Sequence, residues 1–156
     1  MSRAMRVVGG TVGGVVGSAF MAVPILAARA AGLTGTPAPE RITEGLLHRA
    51  GVRLDRDTED QVTAMSHVGF GAGAGALYGV LAPRDTDLPR ALALGLGYAT
   101  ALYAVSYAGW VPALGLLAPP DRDQPARQVV MLVAHWLYGA SIAVATHAAS
   151  GDRRPR

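Results

Sequence analysis

The stretch that decides the fold is residues 64–82, AMSHVGFGAGAGALYGVLA, which contains no Asp, Glu, Lys or Arg. About 20 apolar residues at ~1.5 Å each are enough to cross a bilayer as a helix. The glycines in this stretch do not prevent a helix in lipid, because the backbone has no water to bond to, and they let a second helix approach closely. The stretch therefore predicts a membrane span with a packing face of small residues.

One face of this predicted helix carries small residues together with polar ones. His67, Gly71, Gly75, Tyr78 and Gly79 follow the spacing i, i+4, i+8, i+11 and i+12, which places them on one side of a helix. We interpret this face as a seam between helices, with Gly71, Gly75 and Gly79 at the contact.

Three further apolar runs predict spans at residues 7–28, 91–108 and 128–149. In the first, Gly9, Gly13 and Gly17 recur at every fourth position, with Gly10, Gly14 and Ser18 beside them. This small-xxx-small pattern is typical of helices that touch backbone to backbone, and Gly139 adds a small residue to the last span. We predict an all-α fold, an integral membrane four-helix bundle in which residues 1–156 form a single transmembrane domain.

The long polar segment, residues 32–61, separates the first two spans. Residues 40–50 predict a short amphipathic helix, since Ile42, Leu46 and Leu47 share one side. This helix either packs as a connector on the membrane surface or bundle, or docks a partner. The acidic residues after it (Asp55, Asp57, Glu59 and Asp60) suit the first turn of the next helix better than a metal site.

Composition excludes several functional classes. Hydrophobic residues make up 51% of the chain and charged residues only 16%, against about 25% charged in typical soluble domains. The net charge of +3 comes from scattered arginines, which argues against nucleic-acid binding and leaves the lipid bilayer as the expected partner. The absence of cysteine excludes disulfides and thiolate metal sites.

Four spans would place both termini on the same side of the membrane. The arginines divide equally between the two sides of this topology, so the positive-inside rule does not orient it. The charged ends, including Arg153, Arg154 and Arg156, favour a cytoplasmic placement of both termini.

Histidine and tyrosine within the spans are the candidates for a ligand or proton pathway, because polar groups in lipid are costly and mark function or a buried hydrogen bond. If alternate spans run in the same direction, His67 and His135 lie at similar depth on neighbouring helices. Four interpretations stay open: structural hydrogen bonds to Ser106, Tyr98 or Tyr107, a pocket for a small ligand or lipid headgroup, proton-linked titration, and bis-histidine haem ligation by His67 and His135. The candidate residues are His67, Tyr78, His135 and Tyr138.

No catalytic motif accompanies these residues. Residues 71–76, GAGAGA, match a dinucleotide-binding string, but that motif needs a preceding strand and a later acidic residue, and here it lies in an apolar span. We therefore expect no catalytic residues, no metal, no cofactor other than the haem alternative, and no enzymatic activity.

Three segments in order, SHVGFGAGAGALYG, SYAGWVPALGLL and AHWLYGAS, resemble the YagU-like family of small bacterial inner-membrane proteins of unknown function. The resemblance covers the chain from residue 66 onward and implies a multi-pass protein of the cell inner membrane with about four helices. It also carries a suggested link to acid resistance, and it implies no catalytic residues.

The sequence thus predicts a non-enzymatic structural or accessory membrane protein. Its glycine faces would pair with a second copy, giving a homo-oligomer, or with a larger membrane complex. The alternative is a transporter or channel-like module for protons or a small solute, with His67 and His135 along the path.

Overall fold

The computed structural model describes residues 2–84 and 86–151, and this part of the chain is helical without any strand. Asp85 and the C-terminal arginines counted above lie outside the described residues. The helices are α1 (Arg3–Ala30), α2 (Ala38–Arg49), α3 (Arg56–Leu81), α4 (Leu88–Val105), α5 (Val111–Ala113) and α6 (Pro125–Ala149), with a π-turn at Ser106–Trp110 and a 3₁₀ turn at Pro120–Arg122.

Helix α1 lies between α3 and α6 and packs on both through glycine. A Cβ built on Gly14 would lie 2.2 Å from the carbonyl oxygen of Gly71, and one on Gly10 would lie 2.1 Å from that of Gly75. These backbones are so close that no side chain fits between them. The pairing of early α1 with late α3 also shows that the two helices are antiparallel.

An adjacent face of α1 packs on α6 in the same manner. A Cβ on Gly13 would lie 2.8 Å from the Cα of Ile142, and one on Gly17 would lie 2.8 Å from the Tyr138 ring. Helix α6 packs in turn on α4, where a Cβ on Gly139 would lie 2.5 Å from the carbonyl oxygen of Gly95. The four long helices therefore follow the spatial order α3, α1, α6, α4.

Helices α3 and α4 are joined through tyrosines and not through glycine. The Tyr98 hydroxyl donates to the carbonyl oxygen of Ala74 at 2.7 Å, and the Tyr78 hydroxyl donates to that of Ala91 at 3.3 Å. The two rings also contact each other, with centroids 5.3 Å apart. These side chains fill the centre of the bundle, where the two helices stand too far apart for backbone contact.

The outer surface of the bundle is apolar. Large hydrophobic side chains are exposed along α1, such as Val12 and Phe20, and along α3, such as Met65 and Leu81. Three segments are long and apolar enough to cross a membrane: Arg3–Ala30, Leu88–Ala113 and Pro125–Ala149. Helix α3, which contains the predicted span 64–82, is not among them, so the structure supports a helical protein with three candidate spans.

Helices α1, α3 and α6 extend beyond their predicted spans, and α3 begins among the acidic residues that were predicted for its first turn. Helix α3 begins at Arg56, about two turns before residue 64, because Asp55 caps its first turn by accepting a hydrogen bond from the Thr58 amide at 3.0 Å. Helix α2 covers Ala38–Arg49 where residues 40–50 were predicted, and Gly51 ends it with φ of +69°.

The predicted third span ends differently from a regular helix. After Val105 the helix widens into a π-turn, in which the Val111 amide donates to the carbonyl oxygen of Ser106. Proline at position 112 cannot donate a backbone hydrogen bond, so the regular ladder loses a donor at this point. The chain then turns at Gly115 and buries Leu116 and Leu117.

Glycine at the α1–α3 contact should be essential for stability. We expect Gly14→Ala to destabilise the bundle by about 1–3 kcal/mol, because the added methyl group forces two backbones apart. Gly73→Ala on α3 is the matched control, since nothing lies within 4 Å of a Cβ at that position. Unfolding in detergent micelles measures both, and equal stability of the two variants would contradict the packing described.

The start of α3 should respond to acid. Hydrogen bonds from the Thr58 side chain and backbone hold the pKa of Asp55 below its ordinary value. The ionised carboxylate therefore stabilises this turn above the unfolded-state pKa, and the contribution is lost as pH falls through the folded-state pKa.

We expect amide-exchange protection at Thr58 to fall on acidification in the native chain. In Asp55→Asn, which keeps a capping oxygen but does not titrate, protection should not change with pH once intrinsic exchange rates are allowed for. Constant protection in the native chain would show that the cap does not depend on the carboxylate.

Candidate functional site

A cavity of about 320 Å³ lies at the end of the bundle where α1 ends and α3 and α6 begin. Helices α1, α3, α4 and α6 and the π-turn form its walls, and α2 lies across it. The lining is mostly apolar, with side chains such as Met21, Ile42, Phe70 and Met131, and it contains no Asp, Glu, Lys or Arg. Its chemistry is that of a small-molecule pocket, which is apolar with a few polar groups.

His135 is a buried polar side chain of this cavity, with 5% of its surface exposed. Its Nδ1 lies 2.7 Å from the carbonyl oxygen of Met131, one turn back on α6, and the Tyr103 ring meets the imidazole edge-on. Hydrogen bonds from the histidines to Ser106, Tyr98 or Tyr107 were one of four interpretations, and for His135 these partners are wrong. Those hydroxyls donate instead to Leu102, Ala74 and Asp123 respectively.

His67 lies in the wall formed by α3. Its Nε2 is buried and has no hydrogen-bond partner among the described residues. Unpaired nitrogens of this kind are rare in folded proteins and call for an explanation. Because α3 and α6 are both antiparallel to α1, His67 and His135 are brought to the same cavity.

Tyr138 closes the inner end of the cavity. Its hydroxyl donates to the carbonyl oxygen of Gly71 at 2.6 Å, which ties α6 to α3. Ser18 lies beside the same glycine and donates to the carbonyl oxygen of Gly14 at 2.9 Å. Beyond this point α1 and α3 are in glycine contact, so the cavity does not continue along their seam.

Tyr78 does not belong to this site. It lies nearer the other end of α3, where its hydroxyl reaches Ala91, and it is not part of the cavity wall. Three of the four candidate pathway residues (His67, His135 and Tyr138) therefore share one site, and the fourth holds α3 to α4.

Helix α2 is held across the cavity by contacts at both of its ends. Glu40 pairs with Arg29 at 2.8 Å, and Arg49 donates to the carbonyl oxygen of Leu114. Near the middle of α2, Gly45 packs on the side chain of Leu116. The amphipathic helix predicted as a connector thus forms the cover of the site.

A buried polar cluster braces the loop beside the cavity. Asp123 accepts a hydrogen bond from Tyr107, whose ring lines the cavity, and pairs with Arg127 at 3.6 Å. The side chains of Arg127 and Asp123 are only 8% and 5% exposed. This cluster fixes the π-turn against the start of α6.

The cluster and the cavity wall include residues that sequence reasoning missed. No sequence pattern pointed to Asp123 as part of a buried cluster, or to Val62 or Trp110 as lining residues. Ser18 carried a signal, since it continues the Gly10 and Gly14 series. No sequence periodicity could reveal Tyr107 and Trp110, because the π-turn changes the helical phase between them and the rest of α4.

The described residues contain no group of three or more His, Cys, Asp or Glu side chains placed to hold a metal ion. His67 and His135, the two residues named in the haem alternative, both line the cavity.

Removing Arg127 should destabilise the fold strongly. We expect Arg127→Met to cost about 3–5 kcal/mol, because it leaves the Asp123 carboxylate buried without its cation. Arg122→Met is the control, since Arg122 pairs with Asp121 at 80% and 73% exposure, and such surface pairs contribute less than about 1 kcal/mol. Unfolding in micelles compares the two, and a smaller loss for Arg127→Met than for Arg122→Met would refute a bracing role.

Comparison with known proteins gives no match to the chain, neither from family models nor from curated proteins or solved structures. The resemblance to the YagU-like family therefore stays a prediction.

Proposed function

We propose that this protein is a non-enzymatic, multi-pass membrane protein that holds a small apolar or amphiphilic molecule within its helical bundle. The observation that carries this proposal is the cavity of about 320 Å³ with apolar walls and two imidazoles. Pockets for small molecules measure about 300–1,000 Å³ and combine apolar walls with a few convergent polar groups. The cavity lies at the lower end of that range.

Four spans are part of the proposal. Helix α3 is less apolar than α1, α4 and α6, partly because of its glycines and His67, yet it lies against α1 from Gly71 to Gly79. If α1 crosses a bilayer, this part of α3 stands at the same depth, and its outward side chains, such as Phe70 and Leu77, are apolar and exposed. The family resemblance favours the bacterial inner membrane.

The position of the glycine contacts favours a binding protein over an accessory subunit that pairs through glycine. Gly10, Gly14, Gly71, Gly75 and Gly139 all meet other helices of the same chain. Their faces are therefore not free for a second copy or a larger complex. An oligomer or a complex, which stays a prediction, would need the outer apolar surface instead.

The inner end of the cavity argues against a channel or transporter. Tyr138 bonds to Gly71, and the glycine contacts of α1 continue from there towards Gly79. A proton or solute path along this seam would have to separate helices that touch at the backbone. The geometry favours a pocket with one closed end.

Filling part of the cavity should weaken binding. Trp110 lines the cavity, so its fluorescence reports on binding there. Trp136 lies on the exposed side of α6, where it donates to Thr100 of α4, and Trp136→Phe removes its fluorescence. In lipid nanodiscs, 1-bromodecane should quench Trp110 fluorescence with a saturable component. Val62→Phe, which enlarges a wall residue, should weaken that component about tenfold, corresponding to about 1.4 kcal/mol.

Val68→Phe is the matched control, because Val68 is on the same helix but exposed and outside the cavity wall. It should bind like the parent protein. Quenching that rises without saturation, or that is equal in both valine variants, would mean that the probe acts from the lipid and would refute the proposed function.

A further inference from the structure

We infer that the molecule held in the cavity is an uncharged, apolar compound with a hydroxyl group, and that this hydroxyl donates its hydrogen bond to His135 Nε2, with the unpaired His67 Nε2 as its second polar neighbour. The inference rests on the proposed function and specifies the ligand's polar group. Three observations lead to it: the tautomer of His135, the unpaired nitrogen of His67 and the absence of charge in the cavity wall.

The hydrogen bond of His135 fixes its tautomer. A backbone carbonyl can only accept, so Nδ1, 2.7 Å from the Met131 oxygen, carries the proton. In the neutral ring the other nitrogen, Nε2, then keeps its lone pair. Because His135 lines the cavity, the ring offers the ligand an acceptor and not a donor.

The hydroxyls on the inner walls also leave acceptors, and not donors, for a ligand. Ser18, Ser106, Tyr107 and Tyr138 line the cavity, and each already donates its proton, to Gly14, Leu102, Asp123 and Gly71 respectively. The other lining hydroxyls, those of Thr43, Thr63 and Ser66, belong to α2 and the early turns of α3. The inner walls that surround His135 therefore have acceptors to offer.

His67 Nε2 adds a second polar atom that needs a partner. It is buried without a hydrogen bond in the described structure, and leaving a buried polar atom unpaired is unfavourable. A ligand hydroxyl can satisfy one of the two imidazoles as donor and the other through its own lone pair. One hydroxyl thus matches a cavity with two imidazoles.

The walls exclude a charged ligand group. No acidic side chain lines the cavity to pair with an ammonium group, and no arginine lines it to pair with a carboxylate or phosphate. Burying an unpaired charge in apolar surroundings is strongly unfavourable. The ligand class that remains is a neutral alcohol or phenol with an apolar body.

Three probes with the same ten-carbon chain test this inference in the Trp136→Phe protein in nanodiscs. They are 10-bromodecan-1-ol, which donates and accepts, its methyl ether, which only accepts, and 1-bromodecane, which does neither. Saturable quenching of Trp110 gives each affinity relative to the lipid phase. We expect the alcohol to bind about tenfold more tightly than the ether and the alkane, as one satisfied buried hydrogen bond allows.

Histidine variants show which residue makes the alcohol bind more tightly than the other probes. His135→Phe should remove the advantage of the alcohol and keep alkane binding, while His67→Gln should reduce the advantage. His147→Gln, a change on the same helix outside the cavity wall, should preserve it. Circular dichroism and thermal unfolding show whether each variant is folded, and if His135→Phe is not, His135→Leu, which also lacks an acceptor, takes its place.

The outcomes separate this inference from the proposed function. Equal binding of all three probes, or tighter binding of the ether, would overturn the hydroxyl assignment while leaving a binding pocket. An alcohol preference that survives in both His135 and His67 variants would also overturn it. Absence of saturable binding by every probe would remove the proposed function itself.

Discussion

The structure depends on backbone contact along two adjacent faces of α1. Gly10 and Gly14 touch α3, and Gly13 and Gly17 touch α6, so one helix fixes the positions of two others. In lipid, where apolar side chains gain little by leaving their surroundings, close packing and hydrogen bonds supply the attraction between helices. Glycine maximises that packing by letting the backbones meet.

Helix α1 contacts α3 and α6 closely at its glycines, so the open space in the bundle lies outside those contacts. Helices α3 and α4 are held apart by Tyr78 and Tyr98, and at the end covered by α2 the gap becomes a cavity. Interiors are normally packed to crystal density, and voids larger than water are few. The cavity lies next to helices whose backbones touch, so it is a specific feature of this fold and not a sign of loose packing.

Much of the helical arrangement could be predicted from sequence, because glycine spacing and apolar run length are local properties. The runs around Gly9–Gly17 and Gly71–Gly79 indicated helices and contact faces, and alternating direction placed His67 near His135. The site's other parts depend on distant residues. That α2 covers the cavity follows from Arg29, Glu40 and Leu114, and the partners of Asp123 could not be read from a single helix pattern.

The π-turn at Ser106–Trp110 affects how a related sequence would align with this chain. It accommodates one residue more than a regular turn, which rotates everything after it by about 100° relative to an unbroken helix. That rotation lets Val111 be almost completely buried while Trp110 reaches the cavity. A related chain without the widened turn would align with this one only across a single-residue gap at this point.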